Sequence, residues 1–412
     1  MTPFELVAAL MTFVALAGWL NVKTLHLPNG VAMLIAGLAA AGLLFALQWL
    51  FPQFEGWREV SDYINRIDFV TTVTGYMLAF LLFAGAMQVD LAEMRKRWAS
   101  VGALATLGVA GSIIVVGIGL WLMAGWLGLP LPLAWALVFG ALISPTDPVA
   151  VLATVRLGKL SKTLQIVLQG EALFNDGVGI VAFTALLALA TGAADVSPVL
   201  AVVDVVVQAL GGLVFGMAAS WLVIRLIGTL DDFAVEVSMS IALAMGTYAA
   251  AQALHLSGAI AVVGAGMLFG GARAKEAMGS QTEAYLMGFW TLVDEILNAL
   301  LFLLLGVEMI AVPFYAHQFG LLIAAIPLVL IARFAVVLPW GAYYRFRHSE
   351  KRPTLILGWG GLHGALSLAL ALTIPAGPER ALILSITYAV VAFSITVQGL
   401  TFTPVVRWIQ RS

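Results

Sequence analysis

The sequence predicts an all-α polytopic membrane protein with about thirteen transmembrane helices. Three observations predict it. Hydrophobic residues make up 62% of the 412 and charged residues only 10%, against roughly 45–50% and about 25% in a soluble domain. Apolar runs of about 20 residues, enough to cross a hydrocarbon core of ~30 Å, follow one another along the chain. The few basic residues gather in alternate loops.

Taken in order, the first run covers residues 4–22. It has no basic residue before it and no small-residue cleavage site, so it reads as a retained span and not as a signal peptide. Further spans are expected near 30–51, 67–89, 99–126, 133–154, 163–190, 198–224, 234–252, 256–272, 286–310, 318–340, 354–375 and 381–406. Between the second and third, Phe54, Trp57, Val60, Tyr63 and Ile64 recur at helical spacing among Glu55, Arg58, Glu59 and Asp62. That pattern predicts an interfacial helix over 53–66. Few residues follow the last span, so a single transmembrane domain over 1–412 without a C-terminal cytoplasmic domain is expected.

Lys and Arg near span ends bias a loop towards the cytoplasm. One set of alternate loops holds Lys23; Arg95, Lys96 and Arg97; Arg156, Lys159 and Lys162; Arg225; Arg273 and Lys275; Arg345, Arg347, Lys351 and Arg352; and Arg407 and Arg411. The opposite set holds Arg58, Arg66 and Arg380, and Arg333 stands alone inside a span. The asymmetry supports thirteen spans with the N-terminus outside and the C-terminus inside. A net charge of −2 gives no sign of a nucleic-acid partner. The absence of cysteine excludes disulfides, thiolate metal sites and cysteine nucleophiles.

Ionisable groups at membrane depth cost roughly 2.5–3.5 kcal/mol or more and mark a pathway or a partner. The densest group lies in the fifth and sixth spans. In Ser144-Pro145-Thr146-Asp147-Pro148 two prolines bracket an acid inside an apolar helix. Each removes a backbone donor, and such a break is tolerated only where it is buried in protein or lines a wet cavity. In the sixth span Glu171, Asn175 and Asp176 share one helical face. With Thr146 and Asp147 they offer the oxygen ligands of a hard cation such as Na⁺ or Li⁺. Arg333, the one basic residue deep in a span, needs an acid. Glycines from Gly358 to Gly364 interrupt the twelfth span as the prolines interrupt the fifth. Inverted repeats of six helices, with spans 5 and 12 as matching broken helices, would place a site at the midplane.

These motifs resemble the cation:proton antiporter 1 family, which includes the NhaP-type Na⁺/H⁺ antiporters. The likeness rests on Thr146-Asp147-Pro148 followed by Glu171-Ala172-Leu173-Phe174-Asn175-Asp176-Gly177, and on Leu81 to Ala86 with Asp90 and its basic run. It extends to Asn298 to Gly306, Arg333, and Gly358 to Ser367. The resemblance implies secondary active transport and not enzyme chemistry, with no cofactor. Asp176 would bind Na⁺ or H⁺ in turn, Asn175 would be the neutral member of the pair, and Thr146 and Asp147 would complete the site, Thr146 with Asp176 holding Na⁺. Glu171 would pair with Arg333. It further implies a homodimer in a bacterial inner membrane, with a core domain moving against a dimerisation domain, and electroneutral 1:1 exchange. The sequence departs from the family pattern at Ala84 and Ala172, where relatives carry possible cation ligands, and at His363, where an arginine is common; His363 is a candidate pH modulator. Asp294 and Glu295, near the start of the tenth span, and Glu308, at its end, read as interfacial caps. Asp204 belongs to no assigned site. A K⁺/H⁺ exchanger of the same family is the alternative. An intramembrane aspartyl protease using Asp147 and Asp176 is a remote one, since no Gly-x-Gly-Asp motif occurs.

Overall fold

The computed structural model describes residues 3–51, 77–147, 160–192, 198–230, 232–278, 280–308 and 318–411. The expected interfacial helix over 53–66, residues 67–76 of the third span and residues 148–154 of the fifth lie outside them. The described chain is helical at every expected span. α1 is Pro3–Leu20, α2 Asn29–Leu50, α3 Leu78–Met87, α4 Trp98–Trp126, α5 Leu133–Ile143, α6 Lys162–Ala190 and α7 Pro198–Ile227. Then come α8 Phe233–Ala253, α9 Gly258–Phe269, α10 Ser280–Glu308 and α11 Phe319–His348. α12 is two half-helices, Pro353–Trp359 and Ala365–Leu372, and α13 is Pro378–Arg411.

Local chemistry sets the helix ends. Orphan N–H groups at the starts of α6, α8 and α9 are met by side-chain oxygens of Ser161, Asp232 and Ser257. Proline opens the first half of α12, where its missing donor costs nothing. Between helices, small residues allow close approach, as expected where lipid supplies no hydrophobic drive. A Cβ at Gly212 would stand 2.6 Å from the Ser257 carbonyl, so α7 lies directly against the start of α9.

The helices sort into two packed groups. α1, α2, α3, α7, α8, α9 and α10 pack on one another, and α4, α5, α6, α11, α12 and α13 form the second group. α6 touches both. Lys162, at the start of α6, lies 3.2 Å from Asp90, and Arg97 donates to Thr163 at 3.0 Å. Ser161 donates to Glu350 at 2.8 Å. The loops before α4, α6 and α12 therefore share one end of the molecule, the basic face.

Candidate functional site

The end of α5 and the interruption of α12 meet inside the second group. α5 ends at Ile143, and the chain leads on through Ser144 to Asp147, whose N–H donates to the Leu362 carbonyl at 2.7 Å. This antiparallel bridge joins the segment after α5 to the interruption of α12. Helix breaks strand backbone groups, and buried ones need partners. α13 supplies two of them. It contains a π-helical turn, Ser394–Gln398. Ser394 Oγ accepts the His363 N–H at 2.8 Å, and Gln398 Nε2 donates to the Trp359 carbonyl at 3.4 Å. The His363 ring meets the Pro145 carbonyl at 3.2 Å through Nδ1. Gly364 is required at the crossing, because a Cβ there would lie 2.9 Å from the Asp147 Cβ and against its carboxylate.

The expected pair of Glu171 and Arg333 forms. Arg333 grips both oxygens of Glu171, Nη2 to Oε2 at 2.9 Å, and Nη1 meets Oε1. The same guanidinium donates to the Leu357 carbonyl through Nη2 at 3.0 Å and Nε at 3.3 Å, so it also holds the first half of α12. Both side chains are buried. Asn175 Nδ2 donates to Thr146 Oγ1 at 2.8 Å, and the Thr146 N–H reaches Asn175 Oδ1 at 3.4 Å. These two residues face each other across the break and orient one another.

Asp176 looks the other way, into a cavity of about 100 Å³ between the two helix groups. Thr146, Asp147 and Ser367 share its wall from the second group. Leu78, Leu82 and Gly85 of α3 and Asp294, Asn298 and Leu301 of α10 face them. Among the described residues no three His, Asp or Glu side chains converge as a metal cluster. A second cavity, about 290 Å³, lies further along α6 between the same groups, lined by Ile180, Thr184, Gln208, Tyr248, Gln252 and His255. Gly177 packs on Ile260 between the two, too closely for a Cβ.

The sequence-predicted residues are thus brought together, with one correction. Asp294 is no interfacial cap: α10 begins at Ser280, so Asp294 falls at mid-helix and lines the cavity. Glu295 is exposed and Glu308 ends α10. Asp204 is exposed and accepts from Gln208 at 2.8 Å. Ala172 lines the cavity and Ala84 is fully buried among apolar neighbours. Ser394 and Gln398 were not anticipated, although two polar residues four apart in an apolar span are the signal that marks them.

The chain matches the family model described as sodium/hydrogen exchanger, transmembrane, over residues 10–408. It belongs to the sodium/hydrogen exchanger family. Similar members include the Na⁺/H⁺ antiporter NhaP of Pseudomonas aeruginosa, 39% identical over 410 residues, covering 98% of this chain and 96% of that one. The Na⁺/H⁺ antiporter NhaH of Halobacillus aidingensis is 33% identical over 411 residues with the same two coverages. The solved sodium proton antiporter MjNhaP1 of Methanocaldococcus jannaschii superposes with a TM-score of 0.73 over the whole of both chains at 18% identity. That likeness establishes the exchanger fold for this family member, an integral membrane protein.

Proposed function

We propose that this exchanger moves Na⁺ against H⁺ by alternating access, with Asp176 as the shared binding carboxylate. The observation that carries the reading is the placement of Asp176 in a cavity between two helix groups, beside Thr146 and Asp147. A bare carboxylate is costly to carry through a closed intermediate, whereas a protonated or Na⁺-bound one is not. Only loaded carriers cross, and the two ions exclude one another. Asn175 is neutral and spends its amide on Thr146, which leaves one titrating group at the pair and gives electroneutral 1:1 exchange.

The group holding α4, α5, α6 and α11 to α13 carries these oxygens as one body, and the other group is the scaffold through which two copies dimerise. The basic face is cytoplasmic, with the N-terminus outside. The test is Asp176→Asn in proteoliposomes with a preset ΔpH. Na⁺ or Li⁺ added to the wild type dissipates the gradient and K⁺ leaves it standing; the variant shows no Na⁺-dependent dissipation. Exchange retained by a folded variant overturns the assignment, and a rate that follows a clamped membrane potential overturns the stoichiometry.

A further inference from the structure

The cavity has two unlike walls. The wall from the α4–α6 and α11–α13 group holds Asp176, Asp147, Thr146 and Ser367, while on the facing wall the lining residues from α3 are Leu78, Leu81, Leu82 and Gly85. Polarity on that facing wall comes from α10, through Asp294 and Asn298. These stand one helical turn apart, and Asn298 Nδ2 donates to Asp294 Oδ1 at 3.0 Å. One of the amide's two N–H groups is thereby occupied, and the amide oxygen, which only accepts, is the end suited to meet a cation. An ionisable side chain at membrane depth that faces a cavity marks an ion pathway.

We infer that Asp294, with the Asn298 amide, is a second cation station, held on the scaffold group and visited by Na⁺ on its way between the basic face and Asp176. The inference rests on the antiport reading above. Three features argue for a station in series and not a shared ligand. Asp147, Asp176 and Asp294 line one cavity, yet among the described residues no three carboxylates close on a common point. Asp294 is the lining residue of α10 nearest that helix's basic-face end, and Ala172 and Leu173 continue the lining from Asp176 in the same direction. Finally, Asp294 and Asp176 belong to different packed groups, so movement of one group against the other parts them. Asp294 then serves the cavity while the two groups stand as they do here and is left behind when one moves against the other.

The experiment compares everted and right-side-out membrane vesicles carrying the full chain, with Na⁺ titrated on the exposed face of each. Asp294→Asn is expected to raise the apparent KM for Na⁺ at the basic face by about three- to tenfold, the range that one charge beside an ion path commands. Loss at limiting Na⁺ is recovered at saturating Na⁺, the KM at the opposite face does not move, and the difference from wild type narrows as choline chloride screens the charge. Asp294→Glu keeps the wild-type KM, and Asp294→Asn combined with Asn298→Asp, which returns the charge one turn away, restores most of it. An unchanged KM, an equal shift at both faces, or a loss that saturating Na⁺ does not recover overturns the inference. Asp176→Asn in the same vesicles separates the two claims: exchange persisting there defeats the antiport assignment, whereas a silent Asp176→Asn with a normal Asp294→Asn defeats only the station.

Discussion

Replacing Glu171 or Arg333 singly is expected to destabilise the exchanger more than replacing both together. Arg333 makes two bonds to Glu171 and two to the Leu357 carbonyl, and the residues are 8% and 2% exposed. Glu171→Leu leaves a buried guanidinium without its carboxylate, a cost of about 3–5 kcal/mol. Arg333→Met leaves the carboxylate unpaired and strands the Leu357 carbonyl, adding roughly 1–3 kcal/mol for the orphaned acceptor. The double variant removes both charges together, and an apolar replacement of a buried pair is often near neutral, so it retains chiefly the Leu357 term. Coupling in membranes runs below the soluble range because the unfolded reference also finds partners, which sets the expected interaction energy at about 2 kcal/mol or more. The assay is a double-mutant cycle on unfolding in detergent, followed by tryptophan fluorescence. Additivity within roughly 0.5 kcal/mol, the behaviour of independent sites, would refute the argument. Arg333→Lys is expected to fall with the single variants, since an ammonium has no fork to bridge Glu171 and the α12 backbone.

Other outcomes follow from the same geometry. Gly177→Ala presses a methyl group into Ile260 and is expected to cut the exchange rate at least about tenfold by displacing the neighbouring Asp176, with Ile260→Ala restoring it; a rate that the second change does not rescue refutes the steric explanation. Ser394→Ala removes the acceptor of the His363 N–H and is expected to cost roughly 1–3 kcal/mol, which the same unfolding assay reads, with Ser394→Thr close to wild type. At the basic face, the hydrogen bond from the Glu93 N–H, then Lys162, holds the Asp90 carboxyl below its ordinary 3.8. A lowered folded value means the contribution is full above the unfolded value and fades as pH falls from there through the folded one. Asp90→Asn is therefore expected to reduce the slope of stability against pH at and below that value and to leave it unchanged near neutrality; an identical acid-range profile contradicts the assignment.

Much of this was legible because charge is scarce in a membrane chain. Arg333 stood alone at depth and called for an acid, and the family resemblance named Glu171 as that partner. The two interruptions were legible from prolines and glycines, since backbone geometry is written locally. Partners between distant helices were not. Nothing in the sequence says that Ser394 and Gln398 face the break in α12, because that depends on a π-helical turn that rotates α13 around its axis. Asp294 was misplaced for a related reason. Hydrophobicity starts the tenth span near residue 286, whereas the helix runs unbroken from Ser280, and six residues of polar helix shift an apparent end to the middle.

The bond from Arg333 to Glu171 spans 162 residues of sequence, and this separation dictates an order of assembly. At cellular synthesis rates Glu171 waits in the bilayer for roughly ten to thirty seconds before Arg333 is made. The Leu362 carbonyl that receives Asp147, and Ser394, which receives His363, arrive later still. The first six helices thus enter the membrane as an unfinished body, with a buried acid and an open backbone that only the last three can close. A truncated product ending before α11 presents that unfinished surface permanently.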